Sequence, residues 1–296
     1  MRASSSVGNF LLVNLAVLFI STSAPLGRVL TMVPPLAIWW RSLFAVVALG
    51  IVTKLLKHPF RLPFRQIGLP VFGAGVLMGG HWITYFYSLQ VSNIAIALLS
   101  LFTYPVFTSW LEPLVLKSPF QPRQLLLGVI GLLGLYFIVP DFDWQSGAGQ
   151  AVLWGLGSAL CFSLRNILLK RQVAGYPGTT LMFYQMIACV VVFLPFLTVW
   201  DSAPIAVDWP YLIVLAVITT AAGHTLFVMS FRHFSVSTVS IISSTQPVFG
   251  IIMGVIFLGE NPPWNTLVGG TLIVGIAIYE GYMGARKKEA KDNEGR

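Results

Sequence analysis

His81 and His224 lie inside long apolar runs, each directly after a glycine, in GGHWITYFYSLQ (79–90) and GHTLFVMSF (223–231). A neutral imidazole offers one donor and one acceptor. Among apolar residues it can join two helices, or present a nitrogen to a polar molecule passing between them. For a single histidine the interhelical bond is the simpler reading. Two histidines placed alike, 143 positions apart, favour a common cavity. His81 lies about 21 Å along its apolar run if that run is helical, too deep to reach either membrane surface easily. At helical spacing His81, Tyr85 and Ser88 share one face, and Thr220 shares the face of His224.

Two further polar clusters surround prolines. Pro105 follows Ser100, Thr103 and Tyr104, and Pro247 follows Ser243, Ser244, Thr245 and Gln246. A proline removes one helical hydrogen bond, here freeing the carbonyls of Leu101 and Ser243. In lipid those carbonyls need a new partner or a wet cavity, so both clusters read as cavity lining, with Pro105 and Pro247 as gating kinks.

Arg165, beside Asn166 in CFSLRNILLKR (161–171), has two readings. A guanidinium binds a carboxylate through two parallel hydrogen bonds; four residues from a helix end it can also reach lipid headgroups. Arg41 reads as structural. Glu112 and Glu280 could carry protons or pair with basic neighbours. No His-x-x-x-His or Glu-x-x-His group occurs, and Cys161 and Cys189 suggest neither a disulfide nor a metal site. No catalytic residue, metal or cofactor is expected, which weakens an intramembrane enzyme as the rival reading.

The elements that hold these residues follow from composition. The chain has 296 residues, 56% hydrophobic and 9% charged, with a mean hydropathy of +0.81. Soluble domains carry about 25% charged residues, so this is a multi-pass, all-α membrane protein. Continuous rather than alternating apolar runs select helices over a barrel. Ten spans are read, near 9–28, 35–54, 67–89, 93–116, 124–139, 149–169, 179–199, 210–231, 236–258 and 265–284. With both termini in the cytoplasm, fifteen of the 18 Lys and Arg fall on the inner side. Outside stand Arg28, Asp141, Asp143, Asp201, Asp208 and Glu260. The net charge of +8 therefore reads as topology plus attraction to anionic lipid heads, not as a nucleic-acid surface. The first 25 residues have signal-peptide features but read as a retained span, because they have a counterpart in the second half.

That counterpart belongs to an internal repeat. YPVF (104–107) answers QPVF (246–249) at a shift of 142; Ser21 pairs with Ser163 and Arg28 with Lys170. Gly128 and Gly134 pair with Gly269 and Gly275 at 141, and the glycines at 128, 131 and 134 read as helix-packing positions. Five spans per half is odd, so the halves insert in opposite senses: 1–140 and 141–285, followed by a basic cytoplasmic tail at 286–296. Inverted repeats of this kind build alternating-access transporters with a site at the repeat interface. A channel is the weaker alternative.

With these features the chain resembles the EamA family of the drug/metabolite transporter superfamily over almost its whole length. The resemblance rests on ten spans in two halves, on PVF in the fourth and ninth spans, and on LGENPPWNTLVGGTLIVGIAI at 258–278. The first half departs from the pattern, since Ser118 stands where Glu260 stands in the second. The resemblance implies an exporter or exchanger of small polar metabolites, amino acids being common cargo, in a bacterial inner membrane. An antiporter of phosphorylated metabolites or nucleotide sugars is the alternative within the superfamily. It also implies a cavity lined by spans 1, 3, 4, 6, 8 and 9, with spans 5 and 10 peripheral.

Overall fold

The computed structural model describes residues 2–120, 122–123, 126–127, 129–130, 146–262, 264–265, 267–272, 275–276 and 279. The expected span at 124–139, half of that at 265–284, and Asp141, Asp143, Gly128, Gly131, Gly134, Glu280 and the tail lie partly or wholly outside these residues. Among the described residues there is no strand, and seven helical segments are long and apolar enough to cross a membrane.

In chain order the helices are α1 (Arg2–Ser21), α2 (Ser23–Val29), α3 (Pro34–Leu55), α4 (Leu69–Val91), α5 (Ile94–Leu101), α6 (Tyr104–Leu116), α7 (Gly147–Lys170), α8 (Gly178–Val192), α9 (Phe196–Val199), α10 (Ile205–Val214), α11 (Thr225–Ser230), α12 (Val236–Ile242) and α13 (Gln246–Leu258). With 23 residues α4 is long enough to cross, yet it is not one of the seven apolar segments. It carries His81, Thr84, Tyr85, Tyr87 and Ser88, and that polarity lowers its hydropathy.

Starts and breaks follow local chemistry. Asn93, Ser146 and Ser235 cap α5, α7 and α12 through side-chain oxygens that accept from the N–H three residues on, at 2.9, 3.0 and 3.0 Å. Gly259, at φ +66°, ends α13 in the left-handed conformation that glycine adopts without penalty. Four transmembrane runs are interrupted: at Thr22, between Leu101 and Tyr104, between Val192 and Phe196, and at a 3₁₀ turn over Ser243–Thr245. Pro105 and Pro247 each stand second in the helix that follows, so the helix yields before the ring rather than kinking at it. The carbonyl of Ser243, expected to be free, accepts from the Gln246 N–H. Between α10 and α11 the chain runs as a π-helix over Leu215–His224, a form often found at functional sites.

The core is built by α4 lying along α7, with α8 against α3 and α4, and α1 against the π-helix. Gly75 lets α4 and α8 approach closely: a Cβ there would stand 2.6 Å from the Gln185 carbonyl oxygen and 2.7 Å from Ala188 Cβ. Ser88 donates to the Ala151 carbonyl of α7 at 2.7 Å. Tyr104, beside one break, donates to the Ser240 carbonyl at 3.0 Å and meets Ser243 Oγ beside the other.

Two carboxylates clamp helix starts at opposite ends. Glu112, on α6, accepts from the N–H groups of Val236 and Ser237 at 3.1 and 2.9 Å and from the Ser237 hydroxyl. At that end Lys170 donates to the carbonyls of Phe231 and Phe234 at 2.5 and 2.6 Å. Glu260, beyond α13, accepts from the Ile94 N–H at 3.1 Å. Arg28 stands 3.8 Å from Glu260 and donates to the carbonyls of Leu89 and Gln90 at 2.5 and 3.1 Å. Ile94 and Glu112 are 18 residues apart, about 27 Å of helix. At each end a cation near the close of one helix binds backbone carbonyls, and a carboxylate accepts from backbone N–H at the start of another helix.

Asp208, read from sequence as standing on the outer side between spans, lies inside α10 and is fully buried. Its carboxylate accepts from Thr31 N–H and Oγ1 and from Met32 N–H, the last at 2.8 Å. Those orphan donors just ahead of α3 explain why a charge is buried there.

Candidate functional site

Where three of the interrupted runs meet α4, α7 and the π-helix, eleven residues enclose a cavity of about 10 Å³: Ile20, Ser23, His81, Trp82, Tyr85, Leu101, Phe102, Tyr104, Phe162, His224 and Gln246. That space is about the least that holds one water molecule. A metabolite can enter only when the walls move apart.

Five residues singled out from sequence meet here: His81, Tyr85, Tyr104, His224 and Gln246. Both histidines line this cavity, but their surroundings differ. His81 Nδ1 stands 2.7 Å from Ser158 Oγ, which itself donates to the His81 carbonyl at 2.8 Å. The serine proton being committed to that carbonyl, the histidine donates through Nδ1 and keeps Nε2 as an acceptor. Its ring stacks on Phe162 at 4.5 Å. His224 Nδ1 has no partner. The position matching Ser158 in the first half, 142 residues earlier, is Ala16, which has no hydroxyl to offer.

Eight of the singled-out residues lie outside this lining. Ser88 bonds across to α7, as above. Ser100 and Thr103 donate to the carbonyls of Ile96 and Ser100 at 2.7 and 2.8 Å. Ser243 and Thr245 donate to Ser240 and Ile242 carbonyls at 2.9 and 3.2 Å. Thr220 donates to the Leu215 carbonyl at 3.0 Å and accepts from Arg41 Nε at 3.0 Å. Arg165 has no exposed surface, so it does not reach headgroups. Its guanidinium donates to Gln185 Oε1 and Asn166 Oδ1, both at 2.9 Å, and touches Met182 Sδ.

The lining also contains residues that sequence reading passed over: Ile20, Ser23, Trp82, Leu101, Phe102 and Phe162. Trp82 had a signal, one helical turn from Phe86 and three residues from Tyr85 on an unusually polar helix. Phe162 had none, because an aromatic facing a cavity and one facing lipid look alike in sequence. Among the lining residues, Ser23 Oγ, Tyr85 Oη and His224 Nδ1 are buried without a partner. Three residues of one cavity lining thus each carry a buried polar atom that finds no partner within the protein. Among the described residues no group of three metal-ligating side chains occurs.

Comparison with known proteins gives the wider setting. The model of the EamA-like transporter family matches twice, over residues 8–139 and 149–279. The threonine/homoserine exporter RhtA of Salmonella typhimurium (strain SL1344) is 26% identical over 239 residues, 77% of this chain and 74% of that protein. An uncharacterized transporter of Archaeoglobus fulgidus is 24% identical over 218 residues, 72% of this chain and 78% of that one. A solved crystal structure superposes with a TM-score of 0.73 at 18% identity, covering 95% of this chain and 98% of its own. The protein is therefore an integral, multi-pass membrane transporter of small metabolites rather than an enzyme, and it belongs to the EamA-like transporter family.

Proposed function

We propose that the protein exports or exchanges small polar metabolites, amino acids among them, by alternating access in a bacterial inner membrane. One observation carries this reading: Ser23, Tyr85 and His224, each with a buried polar atom lacking a partner in the protein, line one cavity. His81, Tyr85, Tyr104, His224 and Gln246, joined by Ser23, form the substrate site, with Trp82 and Phe162 as walls. Ser88, Ser100, Thr103, Thr220, Ser243 and Thr245 set the helices around it, Arg165 and Asn166 brace α7 against α8, and the breaks before Pro105 and Pro247 are the flexible points. Because relatives at 26% identity are named threonine/homoserine exporters, those two amino acids are the first cargo to test. Proteoliposomes preloaded with unlabelled threonine or homoserine should accumulate the labelled compound transiently above its external level. Non-saturating flux without that overshoot would make the protein a channel.

The architecture we propose has ten spans in two inverted halves, 1–140 and 141–285, with both termini and the tail at 286–296 in the cytoplasm. The two charged clamps support it: Arg28 and Lys170 match at the repeat shift and grip opposite ends. Cysteine placed at exposed Asp201 should react with an impermeant maleimide on whole cells, and cysteine at exposed Ala174 only after lysis. The reverse pattern would invert the topology.

A further inference from the structure

The two buried arginines differ in one respect. Each nitrogen of the Arg165 guanidinium has a partner within the protein. Arg41, on α3, is equally buried, but only its Nε is engaged, by Thr220. Nη1 and Nη2 have no partner. The one ion pair among the described residues is Arg28 with Glu260, so no carboxylate among them pairs with Arg41. Its guanidinium carbon lies 3.8 Å above the Trp82 ring and 5.9 Å from that of Phe86. A cation over an aromatic face is stabilised without being neutralised. The two free nitrogens keep the planar fork that matches a carboxylate. Trp82 lines the cavity, and the His224 ring meets it edge-on at 5.4 Å.

We infer that Arg41 is the counter-charge for a substrate carboxylate, and that Trp82 is the movable partition between it and the cavity. The inference rests on the transport reading above and narrows its cargo to carboxylate-bearing metabolites. With Trp82 in place the cation is held by its face; when the walls part and the indole swings, the free fork meets the carboxylate. Ser23, Tyr85 and His224 then remain for the polar remainder of the molecule. Arg165, whose donors are already taken, is a brace between α7 and α8.

The test uses the purified full chain in detergent. Thermal protection is measured with the twenty amino acids and simple mono- and dicarboxylates, and with their carboxamide and decarboxylated amine counterparts. Wild type should be protected by at least one acid and at least tenfold more weakly by its amide. Arg41→Gln should erase that preference, leaving acid and amide within about twofold. Arg41→Lys, which keeps the charge without the fork, should fold and retain part of it. Trp82→Phe should preserve the preference. If Arg41→Gln discriminates as wild type does, or if the amides and amines protect as well as the acids, the carboxylate assignment fails while the transport reading stands. If no compound in either set protects and counterflow is also absent, both fail. Should Arg41→Gln not fold, the acid-to-amide ratio of Arg41→Lys decides: an unchanged ratio overturns the proposal.

Discussion

Glu112→Ala is expected to open the Lys170 end of the protein to large reagents while the Arg28 end stays shut, and Glu260→Ala to do the reverse. The Glu112 carboxylate takes up two backbone N–H groups at the start of α12 and a serine hydroxyl. Without it those donors are stranded in a buried place, at a cost of about 1–3 kcal/mol each. Water reaches them only if that end parts, so the mutation weighs against the closed form there. About 3 kcal/mol corresponds to a roughly hundredfold shift in a two-state population. Glu260 holds a single N–H, that of Ile94, and also faces Arg28, so its removal should act in the same way but less strongly. A cysteine at Gln246, in a background with Cys161 and Cys189 replaced, reports entry to the cavity. In Glu112→Ala it should react at least tenfold faster with a bulky impermeant maleimide from the Lys170 side, and in Glu260→Ala from the Arg28 side. Equal acceleration from both sides would mean that the clamps hold the fold together and do not gate it. Glu112→Gln, which keeps one carbonyl acceptor, should fall between.

How far these clamps could be read from sequence shows where sequence reading stops. The match of Arg28 with Lys170 was visible, because the repeat preserves position. The carboxylates were not, because Glu112 and Glu260 do not align: 142 residues after Glu112 stands Gly254, and 142 before Glu260 stands Ser118. Yet a Cβ on Gly254 would lie 3.5 Å from Glu260 Oε2. The second-half carboxylate comes back from a later residue into space left free beside the glycine. Repeat alignment compares Cα positions along the chain, whereas a helix cap needs only an oxygen at the right point. For the same reason Asp208 read only as an outer residue between spans; its partners, Thr31 and Met32, are more than 170 residues away. The apolar runs and the matched placing of the two histidines were legible, since each depends on local composition or on the repeat; the prolines read as kinks, whereas the helix breaks before each ring. Arg165 was ambiguous because distance to a helix end gives depth, not direction. The orphaned nitrogens of Arg41 could not be read at all, since only the fold shows which partners are missing.

The unequal surroundings of the two histidines lead to the second large effect. His224→Ala should cut transport at least tenfold with little change in melting temperature, while His81→Ala should lower both. His224 Nδ1 makes no bond within the protein, so truncation breaks no interhelical hydrogen bond there and loses the edge-on ring contacts with Trp82 and Phe162. His81, in contrast, ties α4 to α7 through Ser158 and stacks on Phe162. Interhelical hydrogen bonds in membranes are worth about 0.6 kcal/mol on average, and the aromatic stack adds about 1 kcal/mol. The substrate loses one hydrogen-bonding nitrogen in either variant: Nε2 of His81, or Nδ1 of His224. Where a buried site is built to bond a polar group, losing that bond penalises binding well beyond the value of a neutral contact in water. Melting temperature and threonine or homoserine counterflow, measured on the same preparations, separate the two roles. If His224→Ala transports at the wild-type rate, its free nitrogen has no guest and the substrate site must be sought elsewhere. If His81→Ala keeps full stability, the Ser158 bond does not hold α4 to α7, and the asymmetry between the histidines has no structural consequence.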